Sequence, residues 1–307
     1  MILHLLLLTA FAAWQCERLP DMPASKGQHA FEACGQSLFA AAGGCDGQHV
    51  ATMYRYDLDA RTWTRCADAP SVVQSPIMRC VGQRLYFIGG HDSRKGLGGK
   101  TATVGEYDPR TDRWTRKSPM PTAREDMGSA VIGREIWIFG GIDNRGHTIT
   151  SSVEVYDTAT DTWTTREQWA TPRCLGDFAC SDGETIYLIS GTCTMRGYPD
   201  LQASLRPQCY RRGLFAYLPT MPCGHCYTEV EILHGIIYVF GGAVTHWKKA
   251  SDVVDRFDTA SNQWLNPCRM PYAAAGVAAC QHGGQLYLSG GFRDGQFLRE
   301  FWAIRPD

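Results

Sequence analysis

A glycine doublet that closes a short apolar run returns along this chain at a nearly constant interval. No other feature limits the available folds as tightly. The doublets are Gly43-Gly44, Gly89-Gly90, Gly140-Gly141, Gly241-Gly242 and Gly290-Gly291, with Ser190-Gly191 filling the gap in the series. The second residues are Gly44, Gly90, Gly141, Gly191, Gly242 and Gly291, spaced by 46, 51, 50, 51 and 49. Six copies of this length account for all 307 residues. A fixed period of this size is the mark of a solenoid, a propeller or an array.

A second marker keeps the same interval. Trp63, Trp114, Trp163 and Trp264 are spaced by 51, 49 and 101, Phe215 stands where the missing tryptophan belongs, and Trp14 lies 49 residues before Trp63. Each of the four tryptophans after Trp14 follows an aromatic–Asp pair, the pairs being Tyr56-Asp57, Tyr107-Asp108, Tyr156-Asp157 and Phe257-Asp258.

The third copy shows what one period builds. Two apolar runs flank Gly133-Arg134, the pattern of a tight hairpin. Residues 151–157 alternate apolar and polar, as a half-exposed strand does. Asp157 then opens a turn, where a carboxylate can accept a bond from the backbone two residues on. Trp163 begins a fourth strand. The glycines sit where chains crowd and a Cβ would clash. So small a sheet buries both faces only by stacking on its neighbours, and six stacked around an axis make a β-propeller.

The expected fold is therefore all-β: a six-bladed propeller of four-stranded antiparallel blades. The C-terminal stretch from Leu298 gives the last blade a third strand but no fourth, and the segment at Trp14 supplies it. The ring is thus closed by N- and C-terminal strands, which removes an exposed edge. Residues 14–307 form this single domain.

Residues 1–13 are an apolar segment read as a strand remnant in the same register, since Leu7 lies 49 residues before Tyr56. The alternative is a signal peptide, although the first basic residue is Arg18. Another reading is that the frame begins inside a longer protein.

Charged residues are 20% of the chain and the net charge is -1, so no global charge points to nucleic acid or to an acidic membrane surface. The 13 cysteines read mostly as reduced, small, buried side chains, because the chain is long enough to bury a core without disulfides. No N-glycosylation sequon is present, which leans towards a cytoplasmic location, with secretion the alternative.

The order apolar run, Gly-Gly, Tyr-Asp, Trp and then Met-Pro (Met22-Pro23, Met120-Pro121, Met221-Pro222, Met270-Pro271) resembles kelch repeats. The loop phrases that follow the doublets, such as residues 140–146, resemble those of BTB–kelch (kelch-like) proteins. The resemblance covers residues 14–307. It implies a protein-binding module, acting in substrate recognition for a cullin-RING ubiquitin ligase through BTB and BACK domains for which the six copies leave no room here. Actin association is a second implied role. An exported kelch-type enzyme or carbohydrate binder is a third. Binding in the family is by loops that join second to third strands and one blade to the next.

Placed on those loops, the sequence offers Arg94, Lys95, Arg145, His147, Arg196, His246, Trp247, Lys248 and Arg293 between strands, and Arg124, Arg173 and Tyr272 between blades. Lys26, His29 and His225 fall on the inter-blade segments too. Nearby acids are fewer: Asp46, Asp92, Glu125, Asp126, Asp143 and Asp294. The expectation is a mildly basic, aromatic-bearing rim that grips a partner protein by an acidic peptide or loop. No catalytic residue, cofactor or metal is assigned.

Two motifs invite other chemistry. Residues 94–101 run three glycines into Lys100 and Thr101, but a phosphate-binding loop needs glycine where Arg94 stands and a helix afterwards. Cys223 and Cys226 have the spacing of a redox or zinc pair, without the flanking pattern either site requires.

Overall fold

The computed structural model describes residues 14–145, 149–166, 176–191, 206–243 and 250–306. Six antiparallel blades of four strands each make up a propeller, and the two-residue strand Gly176–Asp177 adds to the sheet of the fifth by parallel pairing with Thr228–Leu233. Blade 1 is built of Ala30–Cys34, Ser37–Ala41, Met53–Asp57 and Thr62–Cys66. Blades 2 and 3 repeat this order from Ile77–Val81 to Arg113–Arg116 and from Gly128–Ile132 to Thr162–Arg166. Blade 4 runs from Ala179–Ser181 to Leu214–Tyr217 and blade 5 from Thr228–Leu233 to Gln263–Arg269. Blade 6 takes Ala278–His282, Gln285–Ser289 and Phe301–Arg305, and its outer strand is Gln15–Arg18 from the other end of the chain. The termini therefore close the ring as expected.

The apolar core is divided among the seams between blades. Six clusters of buried residues lie one to a seam; that between blades 1 and 2 joins Phe39, Met78, Leu85, Phe87 and Tyr107. The repeat residues serve these seams. In each complete blade the aromatic of the third strand sits opposite the tryptophan of the fourth, with ring centroids 5.1 Å apart for Tyr56–Trp63, 5.0 Å for Tyr107–Trp114, 4.9 Å for Tyr156–Trp163 and 5.2 Å for Phe257–Trp264.

Each indole N–H then donates to a carbonyl at the end of the preceding blade or of the N-terminal strand. The acceptors are Pro20 for Trp63 (2.9 Å), Ala67 for Trp114 (3.3 Å), Ser118 for Trp163 (2.9 Å) and Pro219 for Trp264 (3.0 Å). The aspartates cap their turns as their type dictates: Asp57, Asp108, Asp157 and Asp258 each accept the N–H two residues on. In blade 4, Tyr210 and Phe215 take the aromatic pair at 5.1 Å, with Arg211 in place of the aspartate.

Two registers differ from the sequence reading by small shifts. In blade 1 the two left-handed positions are Ala42 (φ 58°) and Gly43 (φ 85°), matching Gly89 (67°) and Gly90 (97°) in blade 2. Gly44 is one residue further, where His91 and Ala243 stand in other blades. The corrected series 43, 90, 141, 191, 242, 291 has steps of 47, 51, 50, 51 and 49. In blade 6 it is Cys16, not Trp14, that pairs with Ile304 at the tryptophan position. Trp14 lies just before the strand and packs edge-on against Tyr238 of blade 5, with centroids at 5.6 Å.

The doublet geometry sets a test. A Cβ on Gly90 (φ 97°) would stand 2.8 Å from the Gln74 carbonyl oxygen, whereas one on Gly133 (φ 60°) meets nothing within 4 Å. Both changes incur left-handed strain of about 1–2 kcal/mol; only Gly90→Ala also forces backbone apart. Chemical denaturation should show Gly90→Ala less stable than Gly133→Ala by roughly 1 kcal/mol or more. Equal losses would mean the doublet is required for conformation alone.

Candidate functional site

Among the described residues, blades 1, 2, 3, 5 and 6 are each reached through a lead-in segment that crosses from the outer strand of one blade to the inner strand of the next. These segments meet the loops between second and third strands on one face. The junction is an antiparallel bridge: Gly27 with Gly44, Gln74 with His91, Glu125 with Ile142, Cys226 with Ala243, and Ala275 with Phe292. One residue earlier, the lead-in carbonyl accepts the N–H of the previous blade's second doublet residue. Val73 thus accepts from Gly43 (2.8 Å), Arg124 from Gly90 (3.0 Å), Ala274 from Gly242 (3.2 Å) and Lys26 from Gly291 (2.8 Å).

The side chain at this position turns inward. Lys26 Nζ donates to the carbonyls of Ala42 (2.8 Å) and Thr52 (3.1 Å), and lies 5.7 Å from the Tyr54 ring centroid. Arg124 donates to the matching carbonyls of Gly140 (2.9 Å) and Ser152 (3.1 Å), and pairs with Glu154 at 2.6 Å. His225 Nε2 donates to Asp255 at 3.0 Å. Tyr54, Glu154 and Asp255 occupy one register position in the third strands of blades 1, 3 and 5. The lead-ins to these alternate blades therefore each insert a basic group.

Arg124, expected on the rim, is thus fully buried, and so is Lys26, whose amine burial pushes down to about 8. Tyr272 is buried as well, its hydroxyl donating to the Gly290 carbonyl at 3.0 Å. Lead-in residues point into the blade they start because the doublet's exposed carbonyls need donors there.

Two residues beyond that position, each lead-in makes a left-handed turn into the channel. The residues are Gln28 (φ 50°), Ser75 (47°), Asp126 (53°), Gly176 (114°), Tyr227 (58°) and Gly276 (58°), one per blade. Backbone bonds run round this ring from Ser75 to Gln28 (2.8 Å), Gln28 to Gly276 (3.2 Å) and Gly276 to Tyr227 (2.9 Å). All six line the mouth of a central cavity, with Arg79, Asp177 and Glu229 also on its wall. Their sequence spacing repeats the doublet spacing, which is the signal by which they could have been found.

Below the mouth the channel is acidic. Arg79 pairs with Asp177 and with Glu32 (3.4 Å), and donates to the Ser129 carbonyl (3.3 Å). Glu229 and Glu231 share this space. Burial, opposed by Arg79, raises Glu32 to about 7 and Glu231 to about 8; at the mouth, burial and the neighbouring Glu125 raise Asp126 to about 7.

The rim proper is carried by the loops between strands. In blade 2 a 3-10 turn over Ser93–Gly98 projects Arg94, Lys95 and Leu97, the last 68% exposed. Arg94 forks onto Asp92 at 2.7 and 2.9 Å, and Lys95 lies 3.7 Å from the same carboxylate. Arg145 is exposed beside Asp143 at 3.8 Å, and Arg293 is half-buried. Each of these two aspartates offsets a cation, so the rim is less basic than the sequence count implied. His147, Arg173, Arg196, His246, Trp247 and Lys248 lie outside the described residues, as do residues 1–13.

The same loop answers the phosphate-loop question. Lys100 is buried, bonded to the Leu97 carbonyl (2.8 Å) and 3.7 Å from Glu125, which His91 and Gln74 also approach. Its amine faces the lead-in, away from any cradle of N–H groups. Cys226 turns its thiol to the Ala243 carbonyl (3.3 Å), and Cys223 is half-buried in the turn. Among the described residues, no three His, Cys, Asp or Glu side chains are grouped to hold a metal, and no helix is long and apolar enough to cross a membrane.

Comparison with known proteins gives consistent results. Kelch-motif profiles match residues 27–70, 73–121 and 123–166. Kelch-like protein 36 of Bos taurus is 25% identical over 84% of this chain and 42% of its own length. Beta-scruin of Limulus polyphemus is 27% identical over 77% of the chain and 27% of its own. Kelch-like protein terF of Aspergillus terreus is 29% identical over 70% and 49%. The chain spans less than half the length of each. The solved structure of YjhT superposes with a TM-score of 0.79 at 15% identity, covering 92% of this chain and 95% of that one, which is a likeness of fold.

Two tests follow from the buried charges. Arg124→Ala leaves Glu154 buried without its cation and should cost about 3–5 kcal/mol by denaturation, most of it recovered when Glu154→Leu is added to Arg124→Met. Loss below about 1 kcal/mol would remove the clasp role. The channel acids hold protons in the folded state that they lose in the unfolded one between about pH 5 and 8, so the folded state binds more protons there and stability falls as pH rises. Glu231→Gln should flatten that decline in melts at pH 5.5 and 8; an unchanged slope would mean the group does not titrate in this window.

Proposed function

Because the chain is a kelch-repeat β-propeller that resembles the kelch-like proteins, we propose that it is a non-catalytic interaction module that captures a partner protein on its loop face. The observation that carries this reading is the tip of the second-blade loop, where Arg94 and Lys95 side chains, 66% and 72% exposed, flank the exposed Leu97. An apolar side chain standing in solvent beside two cations combines an anchor with groups that grip carboxylates.

The partner class is a protein segment bearing carboxylates. Arg94 and Lys95 exchange Asp92, and Arg145 exchanges Asp143, for the incoming acid, with Arg293 on the same face. His147, Arg173, Arg196, His246, Trp247 and Lys248 belong to the same proposed face by their places in the repeat. The similarity to kelch-like proteins supports substrate recognition for a cullin-RING ubiquitin ligase in the cytoplasm as the setting, with ligase contacts made outside the propeller. This step is analogy at the level of family.

The test uses two baits in cytosolic lysate: the wild-type chain, and one carrying Arg94→Glu, Arg145→Glu and Arg293→Glu. The expected result is partners depleted at least tenfold on the second bait while its melting temperature is unchanged. Identical partner lists, or none on either bait, would overturn the assignment of function to this face. Co-sedimentation of the chain with actin filaments would place it in the cytoskeletal class instead.

A further inference from the structure

The exposed tip of the second-blade loop is tied to the lead-in of the next blade through one carboxylate. Glu125 lies on the lead-in to blade 3, its side chain 4% exposed. His91 and Lys100 face each other across the base of the loop as an antiparallel bridge, and both reach this carboxylate. His91 Nδ1 stands 3.3 Å from Oε2, and Lys100 Nζ stands 3.7 Å from Oε1. Each also holds the tip. His91 Nε2 donates to the Gly96 carbonyl at 2.8 Å, and Lys100 Nζ donates to the Leu97 carbonyl at 2.8 Å. These two carbonyls directly follow Arg94 and Lys95 in the exposed turn.

One of the two links is a proton short. A carbonyl only accepts, so Nε2 carries the ring hydrogen when His91 is neutral. Nδ1 then presents a lone pair; it is buried, makes no hydrogen bond, and faces a carboxylate oxygen. One proton between the two atoms, on Nδ1 or on Oε2, turns that repulsion into a charge-assisted bond. Burial raises the Glu125 carboxyl, against the pull of Gln74 and Lys100. The Gln74 amide donates to Oε2 at 3.3 Å. The other charged or titratable groups facing the pair are Lys100, Asp126 on the same lead-in, Asp92 and Arg94 on the loop, and His49 of blade 1, whose Nδ1 meets Ser93 Oγ at 2.9 Å.

We propose that Glu125 is the positioning residue of the partner-binding loop, holding the Gly96 and Leu97 carbonyls through His91 and Lys100, and that one proton between Glu125 and His91 switches the tip from loose to tight. The functional weight of this inference rests on the reading of that tip as a binding element. A tight tip presents Arg94, Lys95 and Leu97 already ordered, whereas a loose one loses that freedom on binding and binds more weakly. Falling pH supplies the proton and tightens the tip; rising pH removes it.

Hydrogen–deuterium exchange of the full chain, read by mass over residues 93–99 and corrected for intrinsic rates, measures this. The amides of Lys95 and Gly99, bonded to the carbonyls of Asp92 and Gly96 at 3.0 Å each, report the tip. Its protection, relative to the strand Arg84–Ile88, should be about fivefold higher at pH 5.5 than at pH 8. Glu125→Gln places an amide donor against Nδ1 at either pH, so it should keep the tip protected and abolish the pH dependence. Glu125→Ala should lose protection at both pH values, and Asp126→Asn should keep the wild-type profile. A flat wild-type profile, a profile that Glu125→Gln leaves unchanged or that Asp126→Asn abolishes, or full protection in Glu125→Ala would overturn the proposal. The wild-type profile decides alone if the variants do not fold. Exchange needs no partner: a pH-dependent tip with identical lists on the two baits would overturn only the binding role of the face, and a flat tip with differing lists only the positioning role of Glu125.

Discussion

The structure hangs on one backbone bond repeated around a ring. The N–H of the second doublet residue reaches sideways to the carbonyl of the lead-in to the next blade, at 2.8 to 3.2 Å in the four seams between blades 1 and 2, 2 and 3, 5 and 6, and 6 and 1. To aim that N–H outward, the chain leaves the second strand through two left-handed residues, which glycine adopts without strain. The doublet thus belongs to the contact between blades more than to the blade that contains it. Where the glycine is replaced, at Ala42 and Ser190, the φ angle stays positive (58° and 68°), because the neighbouring lead-in demands it.

This clasp also decides where charge resides. A lead-in whose carbonyl is bonded backwards sends its side chain forwards, into carbonyls of the blade it starts. Lys26 and Arg124 satisfy the same two acceptors on different blades, and His225 reaches the register position that holds Glu154 in blade 3. The described lead-in cations Lys26 and Arg124 are therefore structural, while Arg94, Lys95 and Arg145 of the strand-connecting loops face solvent and Lys100 of the same loops is buried. Among the described residues, rim and channel end with opposite characters: exposed arginine and lysine outside, Arg79 among carboxylates within.

Much of this was written in the period. The blade number, the closure by both termini, the aspartate caps and the aromatic–tryptophan pairs each follow from local residue types recurring at one spacing. Where the repeat register differs, it differs by one or two residues: Gly44 for Gly43, Trp14 for Cys16. In both places the sequence carries a look-alike beside the true position, and only strand pairing distinguishes them. The ring of Gln28, Ser75, Asp126, Gly176, Tyr227 and Gly276 went unseen because its members share a conformation and not a residue type.

The sequence by itself determined the repeat, hence the fold, and the loops that converge on one face. Periodicity is local information, and a chain of six copies has few ways to bury their faces. Tertiary structure alone decided which loop residues point outward. Arg124 and Arg145 read alike along the chain, yet one is enclosed by Glu154 and two carbonyls and the other stands in solvent. Side-chain direction depends on which backbone acceptors a neighbouring blade presents, and no pattern within one copy records that.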